Sequence, residues 1–152
     1  MSNIKGLNTK KIVLDNWLSK MIGKPTYYLQ MPSSNVDYKD LPEGQMFTWT
    51  KIPVNNTKKF ICLQKLGFYI VDTNIQLSSS NNIHLKNEYN VRFALPNDEL
   101  QVRVLAKNLF KHSRFNIDPN ISEETACRIK EEWAGNFFSG KRGKWMIVIE
   151  EN

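Results

Sequence analysis

The chain has 152 residues, 41% hydrophobic and 11% aromatic, which suits one ordinary domain or two half-sized units and excludes wholesale disorder. Its net charge of +6 is dispersed: residues 1–90 hold eleven Lys and no Arg against six acids, and residues 91–152 hold ten basic and nine acidic residues. That pattern reads as a solvated lysine surface with no nucleic-acid partner. No apolar run approaches the roughly 18–20 residues that span a bilayer, and "MSNIKGLNTKK" lacks the apolar centre of a secretory signal, so no membrane contact and a cytoplasmic location are expected.

Taken in order, "TKKIVLDNWLSKMIGKP" spaces Val13, Trp17 and Met21 as one helix face, with Leu14 and Leu18 beside them, and closes on Gly23 and Pro25. "TYYLQM" follows as a strand, "SSNVDYKDLPEG" as a loop, and "MFTWTKIPV" as a second strand that Pro53 ends. Asn55 or Asn56 then caps a helix through Phe60 and Leu63, with Gly67 as its left-handed terminator. "FYIVDTNIQL" is rich in β-branched and aromatic residues and predicts a strand. The polar run 78–90 is the linker, and His84 within it reads as an exposed polar residue.

After the linker the pattern restarts. "NVRFAL" predicts a strand, and "PNDELQVRVLAKNLFKHS" a helix with Val102, Leu105, Ala106 and Leu109 in register and Asn97 or Asp98 at its cap. "RFNIDPN" connects to a second helix, capped by Ser122, on which Ala126, Ile129, Trp133 and Phe137 form a stripe and Glu124, Arg128 and Glu132 stand four apart. "SGKRGK" breaks that helix, and "WMIVIE" closes the chain as a strand with both faces apolar. The fold class is α/β of the α+β kind: an N-terminal α-β-β-α-β unit over 1–77, the linker 78–90, and a β-α-α-β unit over 91–152.

Little of this spells chemistry. Cys62 and Cys127 lie far apart without metal-ligand spacing and read as buried or half-buried thiols, with no metal. His112 and Ser113 are consecutive at a helix end, outside any nucleophile elbow, so Ser113 reads as a turn hydroxyl. Glu123, Glu124, Glu131 and Glu132 read as a solvated helix face. Asp118, before Pro119, reads as a turn cap, or as a partner for an arginine or a substrate amine. "GKRG" (140–143) lacks the spacing of a P-loop and reads as a tight turn. All five arginines lie after residue 90, and Arg114 and Arg142, in loops, offer planar forks for phosphate or carboxylate.

The words "SRFNIDPNI", "RIKEEWAGNFFSGKRG" and "WMIVIEE" resemble the GNAT acyltransferases of the dTDP-fucosamine (amino-sugar nucleotide) acetyltransferase type. In that group an SRF-His-x-D-P word precedes a helix ending in W-x-x-N and a G-x-R-G turn; "LQKLGFYIVDTNIQL" is similar to the truncated GNAT half that precedes it. Here Asn116 stands in place of His, and Lys144 where an acid is common. The resemblance implies an acetyl-CoA-dependent N-acetyltransferase, an amino-sugar nucleotide as acceptor, and an acceptor pocket contacted or shaped by Ser113, Arg114, Phe115, Asn116 and Asp118, with Arg114 suited to a nucleotide phosphate. Trp133, Phe137 and Phe138 read as packing.

The family also uses an Arg/Gln-x-x-Gly-x-Gly/Ala loop to hold the cofactor pyrophosphate on backbone amides. None of the seven glycines here forms a G-x-G, and the sequence stops just after the second strand of the motif. The expectation is a truncated GNAT domain, incomplete or inactive as an isolated chain, with no residue assignable as catalytic acid or base. The alternative is a non-catalytic binding or regulatory module that keeps an acceptor-like pocket. With its neighbouring strand missing, "WMIVIE" is expected to be covered by a second copy or another partner.

Overall fold

A computed structural model of the chain describes residues 12–30, 43–78, 80 and 90–150, and the chain divides into two units, Met1–Ile70 and Val71–Asn152. Each mixes helices with a small sheet, so the architecture is mixed α and β of the α+β kind. Among the described residues, no helix is long and apolar enough to cross a membrane.

In the first unit, Ile12–Leu14 forms strand β1, which the helical reading of that segment missed. Its β-branched Ile12 and Val13 pair antiparallel with strand β2 (Thr26–Leu29), and only beyond Asp15 does helix α1 (Asn16–Ile22) begin. The Asp15 carboxylate caps that helix by accepting from Leu18 N–H at 2.9 Å, and Gly23 closes it at φ +79°. Ser19 ties helix to sheet: its hydroxyl donates to Asp15 C=O at 2.7 Å and accepts Thr26 N–H at 2.9 Å. Strand β3 (Phe47–Trp49) runs parallel to β2, and the Thr50 hydroxyl extends the pairing by donating to Leu29 C=O at 2.7 Å. Helix α2 (Thr57–Lys65) has Asn56 as its cap, and Gly67 takes the left-handed conformation expected of it. Leu29 and Leu63 are buried together, with Ile12, Ile52, Leu66 and Phe68 packed against them.

The strand expected over 68–77 is absent: those residues are irregular, and Ile70, Ile75 and Leu77 are exposed. A β-rich composition makes a strand only when a neighbouring backbone completes its ladder. Of the expected loop 33–44, residues 33–42 lie outside the described residues, as do His84 and most of the linker.

The second unit follows the expected β-α-α-β order with an extra turn of helix. Strand β4 (Asn90–Phe93) leads through a 3-10 turn at Pro96–Asp98 into helix α3 (Glu99–Leu109); a one-turn helix α4 (Arg114–Ile117) precedes α5 (Glu123–Phe138) and strand β5 (Ile147–Glu150). β4 and β5 pair antiparallel, Phe93 opposite Ile147 and Val91 opposite Ile149. Helix α3 packs chiefly on α5, through half of the stripe the periodicity names: Ala106 is buried and Val102 half-buried, whereas Leu105 and Leu109 are exposed. Gly135 admits a polar side chain to the contact. A Cβ added there would sit 1.9 Å from Arg103 Nη2, so the guanidinium occupies the space that the missing side chain leaves. Arg103 then binds Glu99 at 2.8 Å and Glu132 at 3.4 Å.

Strand β5 leaves its apolar side chains open, as expected of a strand without a second neighbour: Ile147 and Ile149 are 63% and 62% exposed, and Trp145 just before it 76%. What holds the strand is polar. Arg92 on β4 grips both Asp98 oxygens, at 2.7 and 2.9 Å, and its Nε donates to Glu150 on β5 at 2.9 Å. Asp98 therefore stands at the α3 cap position without capping it; its carboxylate serves Arg92 and the Leu95 N–H. Hydrogen bonds from Arg92 and then from Leu95 lower the Asp98 pKa from 3.8 to about 2. The stability this carboxylate contributes is present above the ordinary value and is lost as pH falls from about 4 toward 2. Carbon-detected NMR should place its midpoint near 2, and Arg92→Gln should return it toward 3.8. An unchanged midpoint in the variant would remove the clip as the cause.

Candidate functional site

The connection between α3 and α5 folds on its own short-range bonds. Ser113 is extended (φ −95°, ψ 158°), and its C=O accepts the N–H groups of Asn116 and Ile117. Asp118 N–H then donates to Arg114 C=O at 3.1 Å, which completes the single turn of α4. Pro119 cannot continue a helix, and Asp118 makes the exit: its Oδ1 accepts Asn120 N–H at 2.9 Å, and its C=O accepts Ile121 N–H. Asp118 is only 6% exposed, and its carboxylate makes the turn-cap bond expected from its place before a proline.

The five residues expected at an acceptor pocket divide in two. Phe115, 2% exposed, and Asp118 anchor the connection, while Ser113, Arg114 and Asn116 are partly exposed. Ser113 Oγ donates to Asn116 Oδ1 at 2.7 Å, so these two are held together. Phe115 meets Trp133 of α5 edge to face, with centroids 5.5 Å apart at 80°. The connection is thus nailed to the long helix by one aromatic pair.

Around that pair the structure gathers cations. Arg114 lies over the Phe115 ring at 4.6 Å and Arg142 over the Trp133 ring at 4.2 Å. Lys130, three residues before Trp133 and so on the same side of α5, has its ammonium 5.0 Å from Trp133, 5.5 Å from Phe115 and 5.6 Å from Phe110. Burial lowers the Lys130 pKa, the charges of Arg114 and Arg142 lower it further, and Asp72 opposes them. Among the described residues, neither Lys130 nor Arg142 makes an ion pair.

Arg142 reaches this place because the "GKRG" segment is a tight turn, as its glycines suggest. Gly140 and Gly143 take φ +70° and +73°, and the N–H groups of Lys141 and Arg142 both donate to Asn136 C=O. The sequence had marked Arg114 and Arg142 separately and set Trp133 aside as packing. It missed Lys130, Phe110 and Asp72; the Lys130–Trp133 spacing on one helix was the available signal, whereas nothing local points to Asp72. Two shallow hollows elsewhere, one beside Val91 and Phe93 and one beside Cys127 and Glu131, are lined by none of the five expected residues. Among the described residues, no three His, Cys, Asp or Glu side chains gather as metal ligands.

Comparison with protein-family models yields no match for this chain, and no curated protein matches it closely enough to count as a relative.

Proposed function

We propose that the second unit is the acceptor-side part of a GNAT-type, acetyl-CoA-dependent N-acetyltransferase acting on an amino-sugar nucleotide. One observation carries the reading: α4 buries Phe115 and Asp118 as anchors and leaves Ser113, Arg114 and Asn116 partly exposed between the two helices. Support also comes from the antiparallel β4–β5 pair flanking those helices, the order the resemblance implies. In this reading Ser113 and Asn116 meet sugar hydroxyls, and Arg114 meets a nucleotide phosphate.

The cofactor is a separate matter. A pyrophosphate cradle needs several backbone N–H groups aimed outward. At the "GKRG" turn the amides of Gly140, Lys141 and Arg142 all donate to carbonyls of α5. That turn does not fit the donor, and no catalytic step is assigned. The same observation favours the second reading, a non-catalytic module that binds the acceptor alone.

Calorimetry with acetyl-CoA and with a dTDP-amino sugar separates the two. Binding of the sugar nucleotide without acetyl-CoA supports the module; binding of both, with acetyl transfer to the amine, supports the enzyme. No heat with the sugar nucleotide, together with an unaltered Asn116→Ala variant, sinks the acceptor site in either form.

A further inference from the structure

We infer that the open face of the β4–β5 sheet is an isologous interface on which a second copy of this chain stacks. The pattern of burial carries the argument. Pairing runs one step past the ends of β4 and β5, because Ala94 N–H donates to Met146 C=O at 2.9 Å, and that step sets the extended Leu95 opposite Trp145. Three cross-strand pairs therefore stand in one row on one face: Val91 with Ile149, Phe93 with Ile147, and Leu95 with Trp145. Those six are between 55% and 76% exposed, while the alternate residues Arg92, Ala94, Met146 and Val148 are half-buried. An antiparallel sheet ordinarily turns its polar residues to water. Here the order is inverted, and the row that meets water holds no polar side chain.

Size and shape select the occupant. At those exposures the six side chains offer roughly 700 Å² of apolar surface, beyond the 300–600 Å² patch of a typical monomer and near the 800 Å² per partner of a standard interface. The row is also graded, with Trp145 and Leu95 at one end and Ile149 and Val91 at the other. A two-fold axis crossing the strands at the middle pair lays Trp145 of each copy over Ile149 of the other, and Leu95 over Val91. Large side chains then meet smaller ones, which keeps the two sheets evenly spaced at roughly 10 Å. The same axis sets Phe93 and Ile147 against their own counterparts. At the rim it brings the Glu150 end of one β5 to the Lys144 end of the other, where both side chains are exposed and opposite in charge. A lipid surface asks only for apolar area; the grading along the row is of use to a matching copy.

The interface rests on this sheet alone. It needs neither acetyl transfer nor an amino-sugar acceptor, and stands or falls apart from the function proposed above.

Sedimentation velocity on the full chain, from about 1 to about 100 μM, should show a monomer passing to a closed dimer with a micromolar dissociation constant. Ile147→Lys should weaken the dimer at least about tenfold, because it sets a charge against its own copy. Trp145→Gln should weaken it about tenfold by removing the largest anchor, whereas Leu109→Lys, exposed on α3 and outside the row, should leave it within about twofold. Ile147→Lys and Ile147→Glu, each monomeric alone, should form a heterodimer when mixed, since the axis places residue 147 against itself. Should Ile147→Lys fail to fold, Trp145→Gln, just outside β5, decides alone. A chain that stays monomeric throughout overturns the inference, and so does open-ended association in place of a dimer. A dimer indifferent to Trp145→Gln, or weakened as much by Leu109→Lys, overturns it too. Mixed Ile147 variants that stay monomeric while folded, by circular dichroism, overturn the two-fold stack. Binding of a monomeric chain to vesicles of phosphatidylcholine and phosphatidylserine would give the face to a lipid surface instead.

Discussion

Phe115→Ala is expected to destabilise the second unit by about 3 kcal/mol, at the lower end for a buried aromatic truncated to alanine. The ring is 2% exposed and makes the edge-to-face contact with Trp133. Transfer from water and the cavity left behind make up most of the loss; the lost aromatic pairing adds about 1 kcal/mol at most. Without the ring, Arg114 loses its seat and Lys130 loses one of three, so the cations are free to spread apart under their own repulsion. Phe115→Leu, closer in volume, should cost about 1 kcal/mol, because leucine refills most of the space the ring leaves. Urea denaturation of both variants checks the two numbers. An alanine variant within about 1 kcal/mol of the parent would show that the α4 connection is not anchored by this side chain.

Why α4 itself escaped a sequence reading is physical. One turn of helix has too few residues to show a period, and it forms here because Ser113 and Asp118 bracket it with backbone and side-chain bonds. Caps were the most readable feature elsewhere: Asn56, Ser122, Gly23 and Gly67 all do what their residue type suggests. Their chemistry is satisfied within a few residues; Asp98 is the exception, because Arg92 on β4 takes the carboxylate that would have capped α3. Apolar periodicity was less reliable. On α3 it named Val102 and Ala106 rightly but favoured Leu105 and Leu109 over Arg103, yet a glycine on the facing helix admits the arginine, and both leucines are exposed. Strand content failed for the same reason at 68–77, where composition was right and the neighbouring backbone was lacking among the described residues.

The candidate site shows the same split. Arg114 and Arg142 were visible because each stands near residues that break long helices, Pro119 after the single turn of α4 and the glycines of the 140–143 turn. Lys130 was not, because a lysine in the middle of a charged helix looks like any solvated side chain. Its meaning comes from Phe110, Phe115, Arg142 and Asp72, which are brought to it from up to 58 residues away in sequence.

Ile129 and Lys130 are neighbours on α5, and their substitutions should part cleanly. Ile129 is fully buried, one turn beyond the equally buried Ala126 on the helix that α3 packs against, so Ile129→Ala should destabilise the unit by about 3 kcal/mol. Ile129→Val should cost about 1 kcal/mol, in line with one methylene removed. Lys130→Met keeps the apolar stem and deletes a charge that burial and two arginines disfavour. The sign follows from the lowered pKa: the folded state penalises the protonated lysine below that pKa and is relieved of the penalty above the ordinary value of 10.5. Lys130→Met should therefore leave stability at neutral pH unchanged or slightly raised, while Ile129→Ala lowers it. Denaturant midpoints of the two variants test this directly. If Lys130→Met proves as destabilising as Ile129→Ala, the lysine is holding the helix in place, and its charge is not a cost to the fold.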